Sequence, residues 1–171
     1  AGGMTMDEIP YWRLGTLEKY EPWGDYVVVK FARWAFEKFP ALKDQLGTQM
    51  LAVGEVMSIG KNYKEALQKS IRSLEIGRYG LGIESYRQLS AAELKGKLVA
   101  PSSERIFLMY EALRRGMTVE ELYNLTHIGR WFIDQMRELV EIEEKLLTYS
   151  WSDLPSESLL EAKENGFADR Y

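Results

Sequence analysis

The spacing of hydrophobic residues changes once along this chain, and the change limits the folds open to it. Two apolar runs, residues 26–31 and 52–59, have the β-branched and aromatic composition of strands. After residue 61, every segment with a clear apolar period has the three- and four-residue spacing of an amphipathic helix. Because two strands cannot close a sheet domain, the pattern predicts a mainly α protein, a helical bundle preceded by a small α/β segment.

The two predicted strands look buried. Tyr26–Phe31 alternates little between apolar and polar residues, which is typical of a strand covered on both faces, and the turn cluster Glu21–Asp25 precedes it. Ala52–Ile59 is the second strand and ends at Gly60. Nothing else in residues 1–76 can cover both faces of such a sheet, so we expect its partners to lie outside this chain.

Helix signals follow the strands. Asn62 is a predicted N-cap with Glu65 as its capping-box partner, and Gly77 is the predicted stop. Residues 78–100 have a weak pattern, interpreted as a linker or irregular surface with a short helix at 90–95. Further helices are predicted from Ser102 or Ser103 to 115, from a capping box at Thr118, over 128–147 and over 156–164. The side chains expected to face inward on the last two include Trp131, Phe132, Leu147, Leu159 and Leu160.

The charge balance changes near residue 76, at the end of the first predicted helix. Residues 1–76 hold ten Lys and Arg and ten Asp and Glu, whereas residues 77–171 hold twelve and sixteen. Zero cysteines exclude disulfides and thiolate chemistry, and a single histidine excludes multi-histidine metal sites. The net charge of −4 argues against a surface that binds nucleic acid. No membrane span and no secretory signal are visible, so we expect a cytoplasmic protein.

Two groups of residues are candidates for chemistry. His127, at the start of the 128–147 helix, has no serine or carboxylate pair beside it and is interpreted as structural or surface-lying. An acidic stretch can bind a divalent cation, but Glu141 and Lys145 are four residues apart, which favours a solvated helix face. The stretch comprises Glu138, Glu141, Glu143 and Glu144. We predict no catalytic, cofactor-binding or metal-binding residue.

Thr118–Arg137 has the outline of a helix-turn-helix, which would present Arg130, Gln135 and Arg137 to a DNA groove. The alternative to a scaffold is therefore a stand-alone helical interaction module that binds nucleic acid through this segment. The aromatic pair Trp131-Phe132 and the nearby acidic residues favour ordinary helical packing.

Several blocks of sequence resemble the large subunit of carbamoyl phosphate synthetase. The most specific is Gly54–Gly60 followed by the capped helix through Glu75. The other blocks occur in the family's order over nearly the whole chain: Asp7–Pro10, Asp25–Lys30, Phe36–Phe39, Glu104–Phe107, Asn124–Thr126, Arg130–Phe132 and Gly166–Asp169.

The resemblance implies that residues 1–76 are the C-terminal part of the carboxyphosphate-forming ATP-grasp domain. Residues 77–171 would be most of the helical oligomerisation domain that links the two synthetase halves. The family makes carbamoyl phosphate from ATP, bicarbonate and glutamine-derived ammonia, in arginine and pyrimidine biosynthesis, as an ATP-dependent ligase.

The resemblance implies no cofactor in this segment; the parent would use ATP and Mg²⁺, with Mn²⁺ or K⁺ as further ions. Its expected partners are the rest of the large subunit, the small glutamine amidotransferase subunit and further copies of the parent, with neither nucleic acid nor membrane. The segment alone would scaffold without catalysis.

Overall fold

The computed structural model describes residues 3–21, 24–39 and 41–171. Among these residues, four strands lie in the first part of the chain: β1 (Pro10–Tyr11), β2 (Gly15–Thr16), β3 (Val27–Trp34) and β4 (Ala52–Gly60). The helices follow: α1 (Tyr63–Ser73), α2 (Ala91–Val99), α3 (Arg105–Arg114), α4 (Val119–Thr126), α5 (Arg130–Leu147) and α6 (Ser156–Glu164). Short 3₁₀ turns occur at Leu17–Lys19, Ala35–Glu37, Glu84–Gln88 and Trp151–Asp153. The predicted mainly helical fold with a small α/β start is therefore confirmed.

The first two strands form a small ribbon apart from the hydrophobic core. β1 pairs with β2 in antiparallel fashion, and no described residue before Val29 belongs to the core or packs against it. The predicted turn cluster at 21–25 includes Pro22 and Trp23, which lie outside the described residues.

β3 and β4 form an antiparallel hairpin in which Val28 lies opposite Ile59 and Phe31 lies opposite Val56. Phe31 on its inner face packs against the core, and α1 contacts both strands. The outer face is exposed within this chain. The weak alternation reflects its apolar side chains, and the expectation that a layer outside this chain covers them stays a prediction.

Local hydrogen bonds set the ends of α1. The Asn62 side chain accepts from the amide of Glu65, so the predicted N-cap is confirmed. The Glu65 carboxylate accepts from the amide of Lys61 at 2.6 Å rather than from that of Asn62, as a full capping box would require. The helix ends at Ser73, before the predicted stop at Gly77, because Glu75 already adopts the left-handed conformation with φ 54°.

Residues 78–100 are part of the folded core, and their interpretation as a linker is wrong. Ser90 and Glu93 form a complete capping box that starts α2, which extends to Val99 rather than to residue 95. Leu94 and Leu98, four residues apart, are buried on one side of this helix, and Leu81 before it is also buried.

Two capping predictions had different outcomes. Thr118 caps α4 in a full capping box with Glu121, as predicted. The prediction that Ser102 or Ser103 starts α3 is wrong, because α3 begins at Arg105 after Glu104. The Ser103 hydroxyl instead donates to the carboxylate of Asp44 at 2.7 Å, which ties α3 to the segment after β3.

The inward faces of α5 and α6 differ in part from the prediction. On α5, which begins at Arg130 rather than at residue 128, Met136, Leu139 and Val140 are buried as expected. Trp131, Phe132 and Leu147 are exposed, and Ile133 and Ile142 are buried in their place. On α6, Leu159 and Leu160 are exposed, whereas Ser158 and Ala162 face inward.

One hydrophobic core joins all six helices of the described residues. Leu67 and Ile71 of α1 belong to the same buried cluster as Leu98 of α2 and Leu122 of α4. The hairpin reaches this cluster through Val29 and Phe31. The hairpin, α1 and the bundle are therefore one packed body.

Candidate association surfaces

The most apolar sheet surface left uncovered is the outer face of the β3–β4 hairpin, here called the open hairpin face. Its apolar members are Tyr26, Val28, Met57 and Ile59, which are 63%, 43%, 71% and 56% exposed. On the same face the Lys30 ammonium and the Glu55 carboxylate form an exposed ion pair at 2.8 Å. A contiguous apolar face with one ion pair has the composition of an interface.

A second exposed apolar group lies where α5 begins. Tyr63, Trp131 and Phe132 form this aromatic cluster, with ring centroids 5.0–5.6 Å apart in tilted or edge-on pairs. Burial raises the pKa of the Tyr63 hydroxyl. Because Trp131 remains 56% exposed and Phe132 46% exposed, the cluster is only half covered by the chain itself.

Glu143, predicted to lie on a solvated helix face, is instead buried in an ion cluster. Its carboxylate oxygens lie 2.8 Å from Nη2 of Arg114 and 2.7 Å from the hydroxyl of Tyr110, which donates to it. The hydroxyl of Tyr171 donates to the same carboxylate at 3.2 Å. Glu111, also buried, accepts from Nε of Arg115 at 2.7 Å. Two carboxylates and two guanidinium groups therefore balance, which is the arrangement expected of a structural network.

Other acidic residues of α5 make ion pairs that are more exposed. Glu138 pairs with Lys64 of α1, and Glu141 pairs with Arg137 rather than with Lys145, the partner suggested by the sequence. Lys145 reaches Glu161 of α6 at 2.7 Å. The Lys64–Glu138 and Lys145–Glu161 pairs link α5 to α1 and α6.

His127 lies at the end of α4 in the left-handed conformation, with φ 55°, and its ring packs edge-on against Tyr123. The side chain is exposed. It therefore ends the helix, in line with the structural interpretation.

In the Thr118–Arg137 segment, the basic side chains are held by the chain itself. Arg130 forms a bidentate ion pair with Glu120, with N–O distances of 2.7 and 2.8 Å, and its guanidinium stacks on the ring of Tyr123. Arg137 pairs with Asp134 and Glu141. Nothing in these contacts favours the helix-turn-helix alternative.

Within residues 3–21, 24–39 and 41–171, no three His, Asp or Glu side chains come together in a way that could hold a metal ion. No helix in this part of the chain combines the length and the apolar character needed to cross a membrane.

Residues 55–171 match the family described as "Carbamoyl-phosphate synthetase large chain, oligomerisation domain". The chain belongs to this family. The match begins within β4, so it includes the second strand of the hairpin, α1 and the whole bundle. The resemblance proposed from the sequence blocks is confirmed.

Carbamoyl phosphate synthase large chains from several lineages align with almost all of this carbamoyl phosphate synthetase segment. The relative from Archaeoglobus fulgidus is 48% identical over 176 residues, covering 99% of this chain and 16% of its own length. That from Synechocystis is 44% identical, covering 91% and 14%. The arginine-specific chloroplastic large chain of Arabidopsis thaliana is 40% identical, covering 98% and 14%. The chain therefore spans about a sixth of the length of these relatives.

Proposed function

We propose that this chain is a scaffold segment of a carbamoyl phosphate synthase large subunit, which joins an ATP-dependent half to the rest of the enzyme. The open hairpin face would pack against sheet or helix supplied by the remainder of the large subunit. The bundle would carry the association between domains or subunits. The observation that carries the proposal is the exposed apolar face on a hairpin whose opposite face is well packed.

The physical case for a covering layer rests on how sheets are stabilised. A two-stranded hairpin needs a packed face, and α1 provides one for the inner side only. Met57, at 71% exposure, and Ile59, at 56%, leave large apolar side chains in water on the outer side. Covering such side chains stabilises by about 25 cal/mol per Å² of apolar surface removed from water. Relatives about six times longer have ample chain to provide that cover.

The proposed division lies near residue 76, inside the family match that begins at residue 55. Residues 1–76 would be the end of the carboxyphosphate-forming ATP-grasp domain, and residues 77–171 most of the oligomerisation domain. The aromatic cluster of Tyr63, Trp131 and Phe132 straddles this division, since Tyr63 begins α1 and the other two begin α5. It is therefore well placed for a contact that involves both units.

The parent enzyme would form carbamoyl phosphate from ATP, bicarbonate and glutamine-derived ammonia in the cytoplasm, with Mg²⁺ and the small amidotransferase subunit. This segment would contribute no catalytic residue and would be inactive alone. The carboxylates and guanidinium groups of its ion cluster and surface ion pairs bind one another, which indicates a structural role.

The decisive experiment is Met57→Lys made both in this 171-residue chain and in the full-length parent large subunit. In the isolated chain the side chain is exposed but lies directly opposite Lys30 on the partner strand, so we expect the free energy of unfolding to fall by no more than about 1 kcal/mol. In the parent, a buried lysine would disrupt the interface, and ATP- and bicarbonate-dependent carbamoyl phosphate formation should fall sharply.

Met50→Lys is the matched control, because Met50 is 62% exposed but lies in the connection between β3 and β4, outside the paired strands. It should leave both proteins unchanged. If Met57→Lys leaves the activity and stability of the parent equal to those of Met50→Lys, the open hairpin face is solvated in the parent and the proposal is wrong.

A further inference from the structure

A groove of about 280 Å³ lies where the hairpin, the start of α1 and the helices α3 and α5 meet. It is here called the junction groove, because its lining comes from both sides of the proposed division near residue 76. The large apolar side chains that line it include Phe31, Trp34, Tyr63, Met109, Phe132 and Met136. Met109 and Met136 are buried and form its floor, whereas Phe132 is 46% exposed.

One edge of the junction groove is the aromatic cluster. Tyr63 and Phe132 belong to both, and the ring of Trp131 lies 5.2 Å from that of Tyr63 and 5.0 Å from that of Phe132. Trp131 is nevertheless 56% exposed. The chain therefore builds the floor of the groove and leaves its aromatic edge in water.

Polar groups beside the groove are largely bonded already. The Ser103 hydroxyl donates to Asp44 at 2.7 Å. Arg105 donates to the carbonyls of Leu98 and Val99, at 2.9 and 3.2 Å. A polar ligand would therefore find few free partners. The volume is also slightly below the roughly 300–1,000 Å³ of small-molecule sites, so the groove suits a few apolar side chains better than a free ligand.

The exposed area indicates where those side chains come from. An aromatic residue has about 150–250 Å² to bury, so the exposed parts of Trp131 and Phe132 amount to about 200 Å². A specific dimer needs about 800 Å² from each partner, so the groove alone is too small to hold a second copy. A segment of the same polypeptide is kept close by its covalent connection and needs far less area. Relatives about six times longer than this chain have such segments.

We propose that the junction groove receives apolar side chains from a segment of the parent large subunit that lies outside this chain. Because Phe31 and Trp34 belong to the hairpin and Phe132 to α5, this contact holds the hairpin against the bundle. It requires the proposed parent, but it uses a surface other than the open hairpin face.

Photocrosslinking in the full-length parent tests the proposal. The photoreactive residue p-benzoylphenylalanine replaces Phe132, whose aromatic ring it retains. We expect a cross-link to a peptide of the same large subunit outside residues 1–171, in a product that migrates as a single subunit in a denaturing gel. The same replacement at Glu144, which is exposed on α5, should give no such product. A cross-link between two copies of this segment, or equal yields at the two positions, would overturn the proposal.

Hydroxyl-radical labelling of the unchanged proteins covers the case in which the replacement perturbs the fold. Interface cores pack as densely as protein interiors, so we expect Trp131 and Phe132 to be oxidised about tenfold more slowly in the parent than in the 171-residue chain. Met57 reports separately on the open hairpin face. Protection of Met57 without protection of Phe132 refutes the groove contact alone, and protection of neither refutes the scaffold role as well.

Discussion

Replacing Glu143 with glutamine tests whether the buried ion cluster holds the bundle together. Glu143 is 8% exposed, and its carboxylate meets the guanidinium of Arg114 at 2.8 Å. Removing one partner of a buried pair costs about 3–5 kcal/mol, because the other charge stays buried. Glu111 lies 3.7 Å from Arg114 and compensates in part, so we expect the lower end, about 3 kcal/mol.

The assay is urea unfolding of the 171-residue chain, followed by helical circular dichroism. A loss of about 3 kcal/mol should also lower the thermal midpoint by roughly 6–12 °C for a chain of this size. Glu144→Gln is the matched control, because it makes the same chemical change one residue away at an exposed position. Its free energy of unfolding should stay within about 0.5 kcal/mol of the unchanged chain.

A milder variant covers the case in which Glu143→Gln does not fold. Tyr110→Phe removes only the hydroxyl that donates to Glu143 at 2.7 Å, and the loss should cost about 1.5–3 kcal/mol. Burial and the nearby Glu143 charge both raise the pKa of Tyr110, so this hydroxyl remains a donor at neutral pH. The reasoning fails if Glu143→Gln and Glu144→Gln unfold at the same urea concentration.

Two further predictions concern helix ends. The Thr118 backbone amide and hydroxyl hold the pKa of Glu121 below its usual 4.5, so the capping box stabilises the fold above that pH and weakens as the pH falls. Glu121→Gln should therefore flatten the acid side of stability measured against pH. Gly166→Ala should cost more than Gly116→Ala in thermal unfolding. Both glycines have φ above 80°, a left-handed conformation that costs an alanine about 1–2 kcal/mol. Only at Gly166 would the new Cβ also lie close to another residue, 3.0 Å from Cα of Glu65. Equal melting points for the two would contradict this.

Features governed by neighbours in sequence were predictable. The caps at Asn62 and Thr118 depend on side chains that bond amides three residues away, and both occur as predicted. The family could also be recognised, since the block at Gly54–Gly60 is a pattern of consecutive residues. Such features need no knowledge of the tertiary fold.

The errors arose where distant residues decide the outcome. Glu143 occurs in a run of glutamates typical of a solvated face, and only Tyr110, Arg114 and Tyr171, far along the chain, make its burial favourable. Leu159 and Leu160 look like an inward pair, yet helix α6 turns Ala162 toward the core. An apolar pattern predicts burial, so it also cannot identify the apolar side chains that this chain leaves exposed.

The position of α1 explains how the hairpin can be ordered while its outer face lacks cover. α1 contacts both hairpin strands and also packs against α5, so Leu67 and Ile71 bury in a core that the bundle supplies. The loop after α6 adds a further tie, because Arg72 and Gln68 of α1 donate to the carbonyls of Gly166 and Asn165. The bundle therefore holds the hairpin in place through α1. A partner bound to the open hairpin face would contact the helices expected to carry association through α1.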